Sequence, residues 1–115
     1  MKFISFLHNK EAKYGVINNN LITDLTEKVL DAKTLKELIQ KKGISNAKKY
    51  AAENPGNIKL DQIVYLPLIP NPGKIICVGL NYSEHVKETN RTVEENPVIF
   101  HRFPESQTAH QQPIQ

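Results

Sequence analysis

Residues 2–8, KFISFLH, alternate imperfectly between apolar and polar side chains, the period of a half-buried strand. Two further short apolar runs, YGVI at 14–17 and LITDL at 21–25, flank the triplet NNN. Asparagine tolerates left-handed backbone, so these runs predict a hairpin with a polar turn. The first thirty residues therefore read as an antiparallel meander. The period then changes. Leu35, Leu38 and Ile39 stand at i, i+3 and i+4, a helical stripe. Thr34 with Glu37 three residues on fits a capping box, and Gly43 fits a C-terminal cap. Ser45 is placed to cap a second helix through NAKKYAAEN, which NPG at 54–56 stops. The two helices, near 34–53, turn lysines outward and a thin apolar face inward.

The segment IKLDQIVYLPLIPNPG, 58–73, predicts a strand near 58–66 running into a linker. Proline withholds an N–H, so Pro67, Pro70 and Pro72 confine it to an edge or connecting position. The run at 74–80, KIICVGL, is apolar on both sides, as a central strand would be. PVIFHRF predicts another strand near 98–103. Between the two, Ser83 is placed to cap a short helix over EHVKET. The last dozen residues show no periodic apolar face. The fold class expected is α+β: an antiparallel N-terminal meander with two helices, followed by further strands.

The chain has 115 residues and a hydrophobic fraction of 39%, enough for a modest core. That length suits one domain and is short for two. Yet two strong core strands arrive near the C-terminus with few later residues to cover them, and a strand buried on both faces needs neighbouring layers. The organisation expected is a small α+β domain over 1–70 and, over 71–115, the front of something longer. Net charge is +3, and thirteen of the fifteen basic residues are lysine. Lysines 33, 36, 41, 42, 48 and 49 form the densest cluster, which describes an anionic partner surface or the wet face of two helices. Nucleic-acid readers use arginine forks and interleaved aromatics. Spread lysines, two arginines and no tryptophan make a nucleic-acid partner unexpected. Cys77, the single cysteine, excludes an intramolecular disulfide and reads as a buried, inert thiol. No run approaches the roughly 20 apolar residues of a membrane helix, and MKFISFLHNK is too short in apolar length for a signal peptide. A cytoplasmic protein with no membrane partner is the expectation.

One stretch asks for chemistry. GLNYSEHVKETN, 79–90, follows the most apolar run and places His85 and Glu88 three residues apart. On a helix those side chains share a face. A carboxylate beside an imidazole fixes its tautomer and raises its basicity, which suits a general base. Gly79 would let the strand end turn tightly, and Asn81 and Tyr82 add an amide and a phenol at the same lip. The same spacing also describes two solvated side chains on a polar helix, and spacing alone leaves both open.

The stretch PGKIICVGLNYSEHVKET, followed by PVIFHRFPESQTAHQQPI, resembles the front of the fumarylacetoacetate hydrolase family. The shared order is a strand, G-x-N-Y, x-x-H-x-x-E, then P-x-x-F, a basic residue and a Ser- or Gln-containing loop. The opening MKFISF…YGVI…LITDL is similar to the small N-terminal domain of bacterial members. The resemblance implies a metal-dependent enzyme acting on a small 2-oxo or β-diketo acid, by hydrolytic C–C cleavage, decarboxylation or keto–enol isomerisation. It implies Mg²⁺ or Mn²⁺ as Lewis acid in a complete member, which would be a homodimer. It makes His85 the general base and Glu88 its orienting partner, on a lid over 83–96, with Tyr82 and Arg102 facing substrate. It makes 71–115 the first strands of a truncated β-roll catalytic domain. The family's metal-binding carboxylates, an E-x-E pair and an Asp, have no counterpart here, so no metal is expected on this chain and no activity from it alone. The alternative is a small non-catalytic α+β interaction module that uses the lysine-bearing helices.

Overall fold

The structure, a computed structural model, describes residues 1–79 and 98–114. Three strands, β1 (Lys2–His8), β2 (Glu11–Asn18) and β3 (Leu21–Asp24), form the expected meander. Both turns are two-residue hairpins. Asn9 and Lys10 at φ 53° and 67° join His8 to its partner Glu11, and Asn19 and Asn20 at φ 50° and 64° join Asn18 to Leu21. Positive φ at both central positions matches the right-handed twist of the strands. Asparagine leads each turn because it enters that region with little penalty.

Two helices follow, α1 (Leu35–Gln40) and α2 (Ile44–Glu53). Thr34 caps α1, its hydroxyl accepting from the Glu37 N–H at 3.2 Å. The Glu37 carboxylate reaches past the cap and accepts from the Lys33 N–H at 2.8 Å. Gly43 departs from its expected role. The left-handed residue after α1 is Lys42, at φ 55°. Its N–H bonds the Ile39 carbonyl and that of Gly43 bonds the Leu38 carbonyl, a Schellman closure with lysine in glycine's usual place. Gly43 is needed for space instead, since a Cβ there would sit 2.6 Å from Leu38 Cδ1. It is also the residue from which α2 starts, so Ser45 lies inside the first turn and is not the cap. Leu35 and Leu38 are buried as the stripe requires, whereas Ile39 is 51% exposed.

The strand expected over 58–66 is two strands. Ile58–Lys59 (β4) pairs with β3, and Val64–Leu66 (β5) pairs with β1, giving the antiparallel order β4-β3-β2-β1-β5. The chain thus crosses from one edge of the sheet to the other in a few residues. In a flat sheet of five strands the outer two lie roughly 19 Å apart. Five extended residues reach at most about 18 Å, and here Leu60–Gln62 form a compact 3₁₀ turn. The sheet must therefore curl. Its inner face holds Ile4, Phe6, Ile22 and Ile58, with Ile17, Ile63 and Tyr65 beside them. Its outer face carries Tyr14, Val16 and Leu25 against Val29, Ala32, Leu35, Leu38 and Ala47. Alternation along each strand feeds both cores, which is how one thin sheet serves two apolar clusters.

Tyr14 is the polar exception in the outer core. It is 1% exposed, and its hydroxyl has no hydrogen-bond partner among the described residues. Burial, with the Asp24 and Glu37 carboxylates adding to it, pushes its ionisation up to about 12. The unfolded chain would ionise near 10 and so binds fewer protons than the fold above that pH. Stability should therefore fall as pH rises from about 10 towards 12. A buried hydroxyl left unpaired is unfavourable by about 1–3 kcal/mol. Tyr14→Phe is expected to raise stability by about 1 kcal/mol and to flatten the alkaline loss. Urea unfolding at pH 7 and pH 11 checks both, and a destabilised variant would mean the hydroxyl has a partner after all.

The chain forms two compact units. One comprises Met1–Pro70 with the segment from Gln107 onwards, and the other is Asn71–Ser106. No helix among the described residues is long and apolar enough to cross a membrane.

Candidate functional site

Within the described part of Asn71–Ser106, strands β6 (Ile75–Gly79) and β7 (Val98–Arg102) form an antiparallel ribbon. Their register pairs Ile75 with Arg102, Cys77 with Phe100 and Gly79 with Val98. One face carries Ile75, Cys77, Phe100 and Arg102, and the other Ile76, Val78, Ile99 and His101. β6 reads as a central strand in the sequence, yet β7 is its single neighbour among the described residues. Ile76 and Ile99, on one face of the ribbon, are 68% and 65% exposed. Cys77 is half-buried, short of the fully buried thiol expected.

Gly79 ends β6. A Cβ there would lie 3.3 Å from the Phe100 ring, and its φ is not in the left-handed region. Its missing Cβ leaves room for a same-face aromatic, and the turn expected after it lies outside the described residues. Gly79 and Val98 are Cα partners, so the connection between the strands leaves and re-enters the ribbon at one end. Tyr82, His85, Glu88 and the lid expected over 83–96 all belong to that connection and lie outside the described residues. Arg102 is described and exposed on β7, but at the other end of the ribbon. Four residues of strand put its Cα about 13 Å from that of Val98. The described residues therefore do not bring Arg102 to the end where the connection departs. His101 drew no notice in the sequence; it faces away from Arg102, and its ring meets Phe103 edge-on at 5.7 Å. Period-two counting along VIFHRF is the signal that separates the two.

Among the described residues no three His, Cys, Asp or Glu side chains converge as a metal site. The lysine cluster on the helices is partly engaged within the fold. Lys41 donates to the Leu30 carbonyl at 2.6 Å, and Lys33 pairs with Glu27 at 3.8 Å. Ion pairs at this exposure are worth little, but they divide what the sequence presents as one patch.

No family model matches the chain. Individual proteins do. It is 40% identical over 63 residues to the mitochondrial oxaloacetate tautomerase Fahd2a of Rattus norvegicus, covering 55% of this chain and 20% of that protein. It is 37% identical over 71 residues to the corresponding tautomerase of Xenopus laevis, covering 62% and 22%. An uncharacterized protein of Staphylococcus aureus is 30% identical over 83% of the chain and 38% of its own length. A fumarylacetoacetate hydrolase domain-containing protein 2 homolog of Dictyostelium discoideum is 50% identical over 32 residues. The chain spans about a fifth of the length of the tautomerases it matches. Over the part it spans, the chain is similar to proteins of the fumarylacetoacetate hydrolase family.

Proposed function

We propose that the chain contributes the small N-terminal domain and the general base of an enzyme that interconverts the keto and enol forms of oxaloacetate or a close 2-oxo acid. The observation that carries this is the similarity, at 40% and 37% identity, to two proteins named as oxaloacetate tautomerases. Tautomerisation moves a proton from C3 of the substrate to the C2 carbonyl oxygen, with no water consumed and no bond between heavy atoms broken. A neutral imidazole at His85 would take the C3 proton and return it to the oxygen. Glu88 would hold the imidazole tautomer and favour the imidazolium that forms. The Tyr82 phenol, in the same connection as His85, is suited to a substrate carboxylate.

The divalent ion that the family resemblance implies does not fit the described residues, where no three ligating groups converge. On this reading the described residues do not turn over substrate by themselves. The test is a full-length protein carrying this chain, assayed with Mg²⁺ or Mn²⁺ for loss of the enol's ultraviolet absorbance. Acceleration over a buffer-and-metal control is the expected result. A rate equal to that control would sink the reading.

A further inference from the structure

The chain leaves its first unit at Pro70 and rejoins it at Gln107. The two points are fastened together: the Gln107 side-chain amide donates to the Ile69 carbonyl at 3.3 Å, across 38 residues of sequence. The segment that follows is anchored on β5. Ala109 is buried, the His110 ring meets Tyr65 edge-on at 4.8 Å, and the Gln112 amide donates to the Tyr65 carbonyl at 3.2 Å. A left-handed Gln111 and the bond from the Gln112 N–H to the Ala109 carbonyl fold the segment on itself. Neither apolar core cluster includes Ala109. The segment is a strap on an already formed fold.

We propose that this strap is a clasp that couples β6–β7 pairing to the N-terminal unit. Closing the clasp on an open chain joins the ends of a 38-residue loop. When the ribbon is paired, Ile75 and Arg102 are already neighbours. Only the tails from Ile69 to Ile75 and from Arg102 to Gln107, about eleven residues together, then remain to be ordered. Loop-closure entropy grows as three-halves of the logarithm of length, so the paired ribbon favours clasp closure by roughly sixfold. Coupling is reciprocal, and a closed clasp favours ribbon pairing by the same factor. The coupling has a use because an isolated two-stranded ribbon is marginal in water. Any partner that covers the ribbon's exposed apolar faces would tighten the clasp without touching it.

Amide hydrogen exchange on the whole chain tests this. Ala109→Asp places a charge in the strap's buried contact and releases it while sparing both cores. Exchange of amides paired between β6 and β7 should quicken by about three- to sixfold, with β1–β2 amides unchanged. Gln107→Ala combined with Gln112→Ala should act in the same direction through the clasp bonds alone. In the reciprocal arm, Ile99→Pro opens the ribbon, and the backbone N–H of Gln112, bonded to the Ala109 carbonyl, should exchange faster by a similar factor. Ribbon exchange that is unaltered after the strap amides have lost protection would overturn the proposal. So would an unaltered backbone N–H of Gln112 in Ile99→Pro.

Discussion

Alanine in place of His85, in a full-length protein that carries this chain, is expected to lower kcat for the tautomerisation by about 10²–10⁴-fold, the usual contribution of a positioned general base. Metal affinity should change little, because the histidine is assigned to the proton and not to the ion. Glu88→Ala alone should have the smaller effect, since the imidazole survives without its orienting partner. The double variant should be no worse than His85→Ala, because a residue that acts only through another adds nothing once that other is gone. The motive is the G-x-N-Y-x-x-H-x-x-E order at 79–88. Steady-state kinetics on the four proteins decide it. Unchanged turnover in His85→Ala would return the pair to two solvated side chains on a polar segment.

The N-terminal meander was legible because its information is local. Alternation sets which side chains face which way, and asparagine at 9, 19 and 20 fits the turns the strands need. The Thr34 cap was legible for the same reason. What was not legible depends on distant residues. Gly43 reads as a conformational glycine, yet it answers to the volume of a neighbour, Leu38. The split of 58–66 depends on the sheet curling until its two edges can be reached in one short step, which no window of sequence contains. The buried Val29 and Ala32 lie in a loop that has no periodicity to announce them. The motif of the candidate site was legible as an order of residues; the position of Arg102 at the far end of the ribbon was not, because it follows from strand register.

Phe6→Ala is the substitution expected to damage the N-terminal unit most. Phe6 is fully buried on the inner face of the curled sheet. It sits on β1, whose backbone pairs with β2 on one side and β5 on the other, opposite Lys13 and Tyr65. Ile4, Ile22 and Ile58 come to the same interior from three different strands. A ring removed from the middle of such a cluster leaves a void that strands already committed to both neighbours cannot collapse to fill. Truncations of this kind destabilise by about 3–5 kcal/mol. A unit of this size has a total stability of roughly 4–12 kcal/mol, so the variant should be largely unfolded at a temperature where the parent is intact. Ile39→Ala is the matched control. It removes an aliphatic side chain that is 51% exposed on α1 and should stay within about 0.5 kcal/mol of the parent. Urea unfolding followed by circular dichroism separates the two. Equal midpoints for Phe6→Ala and Ile39→Ala would mean that the inner face of the sheet is not the core that holds this unit together.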